Sequence, residues 1–484
     1  MRRIQAALRP HGVELGESSR PDPSRQRTTL AVLGRAGTGK TRLLVDVVRA
    51  LEAADVAPLV PEDERRPGDR RSVAILAPTN KAAFVLRTRG VPATTVHRVL
   101  YTPLYHPDYE RLADWLAGKS ERPVLEGIGD AALDRAAASF AVHKSLPGAL
   151  ASAGLRGSDF IKGWKRREAP LDIGLVDEAS MLDAQMLADL EELFGFLLLF
   201  GDPAQLPPPM AQGGMVFASL PEENRLRLDA VHRQAEGNPI LDLAHALGDS
   251  AVDFAQFEGM LRQAATRDDR VRIAERADCD ALAMSPILVW RNVTRVRLIH
   301  AFRSAHDAPE TALLPGEPLV CDGLELPARH RKRRGDLEAR GLVKGAQAVY
   351  LGPGRKPGFS RLHVVGAEVP RVTAATIIRL EAPDREEPAV VAAARMGATF
   401  VHGAAVTIHK AQGSQWPEVQ VFAPDLFAAA RSGRVEAGIE LWRRLAYVAI
   451  TRAEHRLVWV TRPALARPRR ELSVEHLESD AAAG

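Results

Sequence analysis

Cysteine is almost missing from this chain: there are two in 484 residues, Cys279 and Cys321. They form no CxxC pair and sit at no Cys/His spacing suited to a metal, which excludes a disulfide framework and a zinc module. Two free thiols in a reducing compartment are the expectation. Long hydrophobic runs are missing too. The longest, Phe194–Phe200, is far short of the roughly 20 residues a membrane helix needs. Arg9, Pro10 and His11 break any apolar stretch at the start, so neither a signal peptide nor a membrane span is expected and the default location is cytoplasmic. No internal repeat is visible. Charge of one sign is scarce overall, with a formal net charge of +4. The sequence pI is nevertheless 9.1. The basic excess is arginine in clusters, which suits phosphate backbones.

What is present is an alternation of apolar strands with amphipathic runs. With 46% apolar and 26% charged residues the chain has the composition of a globular protein. Residues 1–27, rich in Arg, Pro and Ser, read as a flexible arm. From Thr28 the order is strand (TTLAVLG), glycine-rich turn, helix (TRLLVDVVRALEAA), then the strand SVAILAP and the helix NKAAFVLRTRG. Such alternation predicts an α/β fold with parallel sheets covered on both faces. The rhythm stops over 99–169, resumes with DIGLVDE, a helix over Ala184–Phe194 and LLLFGD, and starts again near Ser285. It is broken a second time over 327–400 by Gly/Pro turns and short Val/Ile-rich strands (AQAVYLG, RLHVVG, AATIIRL), which suggest a small β-barrel. It ends with AAVTIHK, EVQVFAP, a helix over about Ile439–Arg452 and RLVWVT. The expected organisation is therefore a first α/β unit over 28–98 and 170–235 with an insertion at 99–169. A second unit follows over 236–326 and 401–465 with an insertion at 327–400, and 466–484 is a tail.

The strongest chemical signal is Gly34-Arg35-Ala36-Gly37-Thr38-Gly39-Lys40-Thr41, a GxxxxGK[ST] turn between a strand and a helix. Glycines let backbone N–H groups turn inward around phosphates. Gly34, Ala36, Gly37, Thr38 and Gly39 would cradle the phosphates, Lys40 would reach the β- and γ-phosphates, and Thr41 could ligate Mg²⁺. A second carboxylate for the metal is expected at a neighbouring strand tip, where Asp177 and Glu178 end an apolar strand. Asp177 would hold Mg²⁺ and Glu178 would polarise the attacking water as general base. The next strand runs into Gly201-Asp202-Pro203-Ala204-Gln205, where the Gln205 amide could bond both the γ-phosphate and that water.

GRAGTGKT, APTNKAA, TTVHRVL, VDEAS, GDPAQLPP, VHRQ, VTIHKAQGSQ and YVAITRA follow one another in one order from about Thr28 to Thr461. This series resembles the motifs of superfamily-1 helicases, and within them the RecD-like/Dda-like 5′→3′ group. The resemblance implies two RecA-like P-loop domains with ATP between them, the second insertion an SH3-like barrel. It also implies single-stranded and tailed duplex DNA as substrate, a monomer, and replication or recombination proteins as candidate partners. It makes Arg452 the arginine finger and Arg233 the other γ-phosphate arginine, and it places DNA contacts at Thr79, Asn80, Thr95, His97, Thr407, His409, Lys410 and Gln412. These polar groups can hold phosphate or sugar oxygens without reading bases.

Three departures from the family pattern stand out. Such helicases usually carry a helix-borne glutamine segment for adenine recognition upstream of the P-loop, whereas Gln26 lies two residues before the strand with no helix expected around it; Gln415 replaces a glutamate after Gly413-Ser414; and Lys344-Gly345 replaces an Asn-Gly pair. Outside the motifs, Lys165-Arg166-Arg167, Arg329 to Arg334, and Arg467, Arg469 and Arg470 could track a phosphate backbone or be solvated loops. Trp164, Trp290 and Trp416 are stacking candidates, with packing favoured for Trp290. Three activities fit these residues in descending order: a translocating DNA helicase, a nucleic-acid-stimulated ATPase that remodels complexes without unwinding, and a non-motor P-loop protein. The last leaves the two downstream arginines unexplained.

Overall fold

The computed structural model describes residues 1–9, 13, 27–59, 71–125, 127–155, 161–208, 214–228, 237–325, 331–384, 388–394, 396–475 and 477. The first α/β unit begins with a short helix α1 (Arg2–Leu8), followed by β1 (Thr28–Gly34), α2 (Lys40–Ala53), β2 (Ala57–Pro58), β3 (Ser72–Ala77), α3 (Asn80–Thr88), β4 (Ala93–Thr95) and α4 (Val96–Leu100). An insertion then supplies a hairpin of β5 (Tyr101–Tyr105) and β6 (Ile161–Arg166) around three helices, α5 (Asp108–Leu116), α6 (Asp130–His143) and α7 (Leu146–Ser152). The unit closes with β7 (Leu171–Val176), α8 (Ala184–Leu193), β8 (Phe194–Gly201) and β9 (Arg225–Leu228). Its seven strands pair in parallel in the order β2-β3-β7-β8-β1-β9, with β4 on β3. The strands read as unbroken apolar runs because helices cover both faces. Leu30, Val32, Ile75, Phe196 and Phe200 bury toward α2 and α3, while Leu33, Leu76, Val176 and Leu197 bury toward α4 and α8.

The N-terminal stretch corrects one expectation. Residues 2–8 are not a free arm: Ile4, Leu8 and Val13 are buried in the same cluster as Leu44 and Val48 of α2. Ile4 and Leu8 lie four apart on one helical face, which is the spacing that docks a helix.

The second unit starts with α9 (Pro239–Ala246), α10 (Phe254–Arg267), β10 (Val271–Ala274), β11 (Ile287–Val289) and α11 (Asn292–Ala305). A β-rich insertion follows: β12 (Pro318–Glu325), α12 (Arg331–Ala339), β13 (Gln347–Pro353), β14 (Phe359–Val364), β15 (Arg371–Leu380), β16 (Ala389–Ala393) and β17 (Gly397–His402). The chain returns through β18 (Ala405–Thr407), α13 (Ile408–Ala411), β19 (Trp416–Phe422), α14 (Ala423–Arg431), the tiny β20 (Val435–Glu436) and β21 (Ile439–Glu440), α15 (Leu441–Ile450) and β22 (Ala453–Val460). The five parallel strands of this unit pair in the order β10-β22-β19-β11-β18.

In the insertion the pairing runs β14-β13-β12-β17-β15, and β14 also pairs β15, so five strands close on themselves with β16 outside. Closure removes the exposed edges a small sheet would otherwise present. The expected boundary at 327 is thereby corrected. β12, assigned to the parallel unit, is a barrel strand, because Leu319 and Cys321 pack inward with Leu362, Ile378 and Phe400. The two insertions touch: the Ser145 hydroxyl, just before α7, donates to the Ala394 carbonyl beyond β16. Arg98 of α4, which precedes the first insertion, pairs with Glu338 of α12 at 3.1 Å. Among the described residues no helix is long and apolar enough to cross a membrane.

Candidate functional site

In the first sheet β7, β8 and β1 are neighbours. Parallel pairing puts their carboxyl ends side by side, so Asp177, Asp202 and the turn after Gly34 meet at one edge, where open α/β sheets bind ligands. The turn is built for backbone approach. Gly37 (φ 82°) and Gly39 (φ 83°) are left-handed, a conformation glycine adopts without a Cβ penalty. Gly39 is the N-cap of α2, so the helix N-terminus points into the turn. The Lys40 ammonium donates to the carbonyls of Gly34 (2.6 Å) and Arg35 (3.0 Å) and lies 3.8 Å from Asp202 Oδ2.

A cleft of about 700 Å³ gathers Ala36 to Arg42 with Asp177, Glu178, Asp202 and Gln205 from the first unit and Asn238, Leu241, Gly413, Gln415, Thr451 and Arg452 from the second. Residues on which nucleotide chemistry was expected thus face one space: Ala36, Gly37, Thr38, Gly39, Lys40, Thr41, Asp177, Glu178, Gln205 and Arg452. Gly34 instead sits behind the turn, where a Cβ would collide with Thr38 Oγ1. Arg233 and Gln26 lie outside the described residues.

The electrostatics of the cleft are uneven. Burial, and then the charge of Glu178, push the Asp177 carboxyl up to about 7, against the pull of the Glu178 amide, Lys40 and Arg89. A carboxyl held this high gains from a divalent cation, and with the Thr41 hydroxyl in the same cleft the hard oxygen donors fit Mg²⁺. Glu178 has φ 52° and ψ 38°, a left-handed backbone that costs a non-glycine residue about 1–3 kcal/mol and is concentrated at functional sites. Its N–H donates to Asp177 Oδ1 at 3.0 Å. Arg452 is buried. Its guanidinium donates to Val448 O (3.0 Å), Ser414 O (3.1 Å) and Thr451 Oγ1 (3.1 Å). Burial lowers its pKa, and Glu178 is the leading charge that opposes this.

A second cleft, of about 390 Å³, runs between the two units and the barrel. It brings together Thr79, Asn80, Thr95, His97, His409, Lys410 and Gln412. Thr407 is not among its lining residues; it is the N-cap of α13, one residue before the helix. Thr79 and Thr95 cap α3 and α4, accepting from Ala82 N and Arg98 N. Burial lowers the pKa of both His97 and His409, so both imidazoles are neutral at neutral pH and offer hydrogen bonds rather than charge. Positive charge comes instead from Lys81, Lys344, Lys410 and Arg295, the last paired with Glu381. Neither Lys344 nor Arg295 is marked by the motif series as a cleft residue. Pro78, Val320, Cys321, Val401, Val406 and Trp416 make much of the remaining wall apolar.

Some of the other candidate contacts are already paired within the fold. Arg166 pairs with Asp189 (2.9 Å) and Glu192 (2.5 Å), Arg167 donates to Val99 O, and Arg469 pairs with Asp278 and Asp280. In the basic run, positions 329 and 330 lie outside the described residues, and Arg331 opens α12. Trp290 packs against the second unit's core. Trp416 is buried, with its indole N–H on Gln347 Oε1. Trp164 is 49% exposed, its ring centroid 5.9 Å from that of His97.

The AAA domain family model matches residues 24–273. The chain belongs to this AAA-domain family. A second model, the UvrD-like helicase C-terminal domain, matches residues 402–460. It is 38% identical over 101 residues to the ATP-dependent RecD2 DNA helicase of Deinococcus radiodurans, covering 19% of this chain and 14% of that protein. It is 27% identical over 306 residues to the conjugal transfer protein TraA of Rhizobium radiobacter, covering 60% of this chain and 24% of that one. The chain thus spans less than a quarter of the length of these relatives. Among solved structures, Pif1 helicase from Candida albicans aligns with 15% identity and a TM-score of 0.45, over 94% of this chain and 96% of that one.

Proposed function

We propose that the chain is an ATP-driven motor that moves 5′→3′ along single-stranded DNA and unwinds duplex ahead of it. One observation carries the coupling. In the segment 412–415, Gln412 and Ser414 line the second cleft while Gly413 and Gln415 line the first. A shift of this segment cannot alter one cleft without altering the other. Helix α3 repeats the arrangement, with Asn80 and Lys81 on the second cleft and Ala82, Val85 and Leu86 on the first. Gln412 also donates to Leu206 O at 3.1 Å, next to Gln205.

On this reading the backbone amides of the turn and Lys40 bind the phosphates of ATP. Mg²⁺, when held by Thr41 and Asp177, offsets charge on the phosphate oxygens. Glu178 takes a proton from the attacking water, Gln205 orients that water, and Arg452 neutralises charge that grows on the γ-phosphoryl oxygens. Arg233 would be the second such arginine. Because Lys40 and Glu178 belong to one unit and Arg452 to the other, bound ATP draws the units together and hydrolysis releases them. Thr79, Asn80, Thr95, His97, Thr407, His409, Lys410 and Gln412, with Lys344, would then grip backbone oxygens alternately, while bases lie against the apolar wall. The closed five-stranded insertion, SH3-like on this reading, forms the far side of the strand's path. Polarity follows the resemblance to RecD-like and Dda-like helicases and not the geometry. The test is ATP turnover with and without single-stranded DNA. Several-fold stimulation supports the motor, and turnover indifferent to DNA contradicts it.

A further inference from the structure

Helix α15 and the turn after it send three polar side chains toward the nucleotide loops of the opposite unit. Arg452, in the turn, has been described. In the helix, Arg444 donates to the carbonyls of Pro203 (3.0 Å) and Gln205. Between them the Tyr447 hydroxyl accepts from the Ala36 amide at 2.7 Å and donates to Asp202 Oδ2 at 2.7 Å. Ala36 belongs to the phosphate turn. Asp202 holds the following loop through Ala204 N (3.0 Å) and lies 3.8 Å from the Lys40 ammonium. Tyr447 and Asp202 are 2% and 1% exposed, so these bonds are not diluted by water. Burial and Asp202 push the Tyr447 pKa well above its ordinary value, so the hydroxyl keeps its proton and donates throughout the neutral range.

We propose that Tyr447 is a positioning residue through which phosphate occupancy of the turn is read by the second α/β unit and passed to the DNA cleft. This rests on the motor reading. Two kinds of acceptor compete for one ammonium. Lys40 is shared between the turn's carbonyls and Asp202, and a polyphosphate draws on the same cation. When Lys40 engages phosphate, the charge on Asp202 is less neutralised and its hold on the Tyr447 hydroxyl strengthens. When phosphate leaves, that hold weakens. The Ala36 amide, at the rim of the turn, reports any shift of the backbone to the same oxygen. Away from the turn, α15 packs in one core with Ile408 and Ala411 of α13, the helix that carries His409 and Lys410 into the DNA cleft. One helix therefore touches the phosphate turn at one end of the chain of contacts and the strand-gripping helix at the other. That is the element a coupling free energy requires: one body whose position both ligands bias.

The test compares wild type with Tyr447→Phe in the full chain. The affinity for a non-hydrolysable ATP analogue with Mg²⁺ is measured with and without an oligothymidylate, and the oligothymidylate affinity with and without the analogue. Linkage makes the two ratios equal, and couplings of this kind are about 5- to 150-fold. The ring remains in Tyr447→Phe, so packing is kept, and the coupling ratio is expected to fall at least about fivefold toward unity. Loss of packing alone would lower the melting temperature without moving the ratio, and that pattern overturns the proposal. Asp202→Asn, which keeps the shape and removes the charge, should lower the ratio in the same direction, and it decides the matter if Tyr447→Phe does not fold. Wild-type coupling retained in both variants overturns the proposal while leaving the motor reading intact. A wild type that binds oligothymidylate with no effect on the analogue overturns the motor reading and this role with it.

Discussion

Replacing Arg452 with alanine separates catalysis from stability. The guanidinium is buried, faces Glu178 as its leading opposite charge, and spends its donors on Val448 O, Ser414 O and Thr451 Oγ1. As an arginine finger it would be worth about 10³-fold or more in turnover, which is about 4 kcal/mol of barrier. The cost to the fold is smaller. Val448 O keeps a donor in the Thr451 hydroxyl at 3.1 Å, and that hydroxyl, though it loses the guanidinium as a donor, still donates to Tyr447 O at 2.8 Å; Ser414 O is the carbonyl left without this partner. A buried acceptor stripped of its donor costs about 1–3 kcal/mol, and removing a desolvated cation offsets part of that. Arg452→Ala should therefore stay folded, with a modest fall in melting temperature, and hydrolyse ATP about 10³-fold more slowly at saturating single-stranded DNA. Arg452→Lys restores charge without the planar fork and should recover a fraction of the loss. The assay is steady-state phosphate release beside a thermal melt. Turnover of Arg452→Ala within about tenfold of wild type, with the fold intact, refutes the arginine-finger role.

Three further outcomes follow from the geometry. Glu178→Gln should bind Mg-ATP yet hydrolyse it at least about 10²-fold more slowly, since an amide cannot take the proton; loss of binding instead would mean that Glu178 and Asp177 have exchanged roles. The Asp177 carboxyl is raised from 3.8 to about 7, so in the metal-free fold it stays protonated up to that range, and the stability this contributes below 3.8 is lost as pH rises toward about 7. Mg²⁺ must displace that proton, so titrations should show affinity weakening as pH falls through about 7, a dependence that Asp177→Asn abolishes. Lys344→Ala should flatten the salt dependence of single-strand binding by about 0.7 in the log–log slope, one phosphate's worth; an unchanged slope places Lys344 off the strand.

The chemistry at the sheet edge is legible in the sequence because it is local. A P-loop needs its glycines and Lys40 within a short turn, and Asp177-Glu178 directly follow an apolar strand. What escapes are contacts made across the fold. Tyr447 meets Ala36 across 411 positions and Asp202 across 245, and nothing in either local pattern announces the meeting. Lys344 is visible as a departure from the family's Asn-Gly pair, but its place on the second cleft depends on closure of the five-stranded sheet. Strand β12 reads like any buried strand, and only pairing with β13 and β17 assigns it to the barrel. Helix α1 is a pair of turns within an Arg- and Pro-rich stretch, too short for its periodicity to stand out. The basic clusters hide their partners for a related reason. Arg166 and Arg469 look free in the sequence, yet they bond to carboxylates 23 and 189 positions away.

The central claim is that ATP turnover at the first cleft drives movement of a strand through the second. Strand displacement on two duplexes, one with a 5′ single-stranded tail and one with a 3′ tail, tests it directly. The predicted result is ATP-dependent unwinding of the 5′-tailed duplex and none of the 3′-tailed one. Unwinding of the 3′-tailed duplex alone would contradict the polarity, and unwinding of neither, with ATP hydrolysis strongly stimulated by DNA, would contradict the motor and leave a remodelling ATPase.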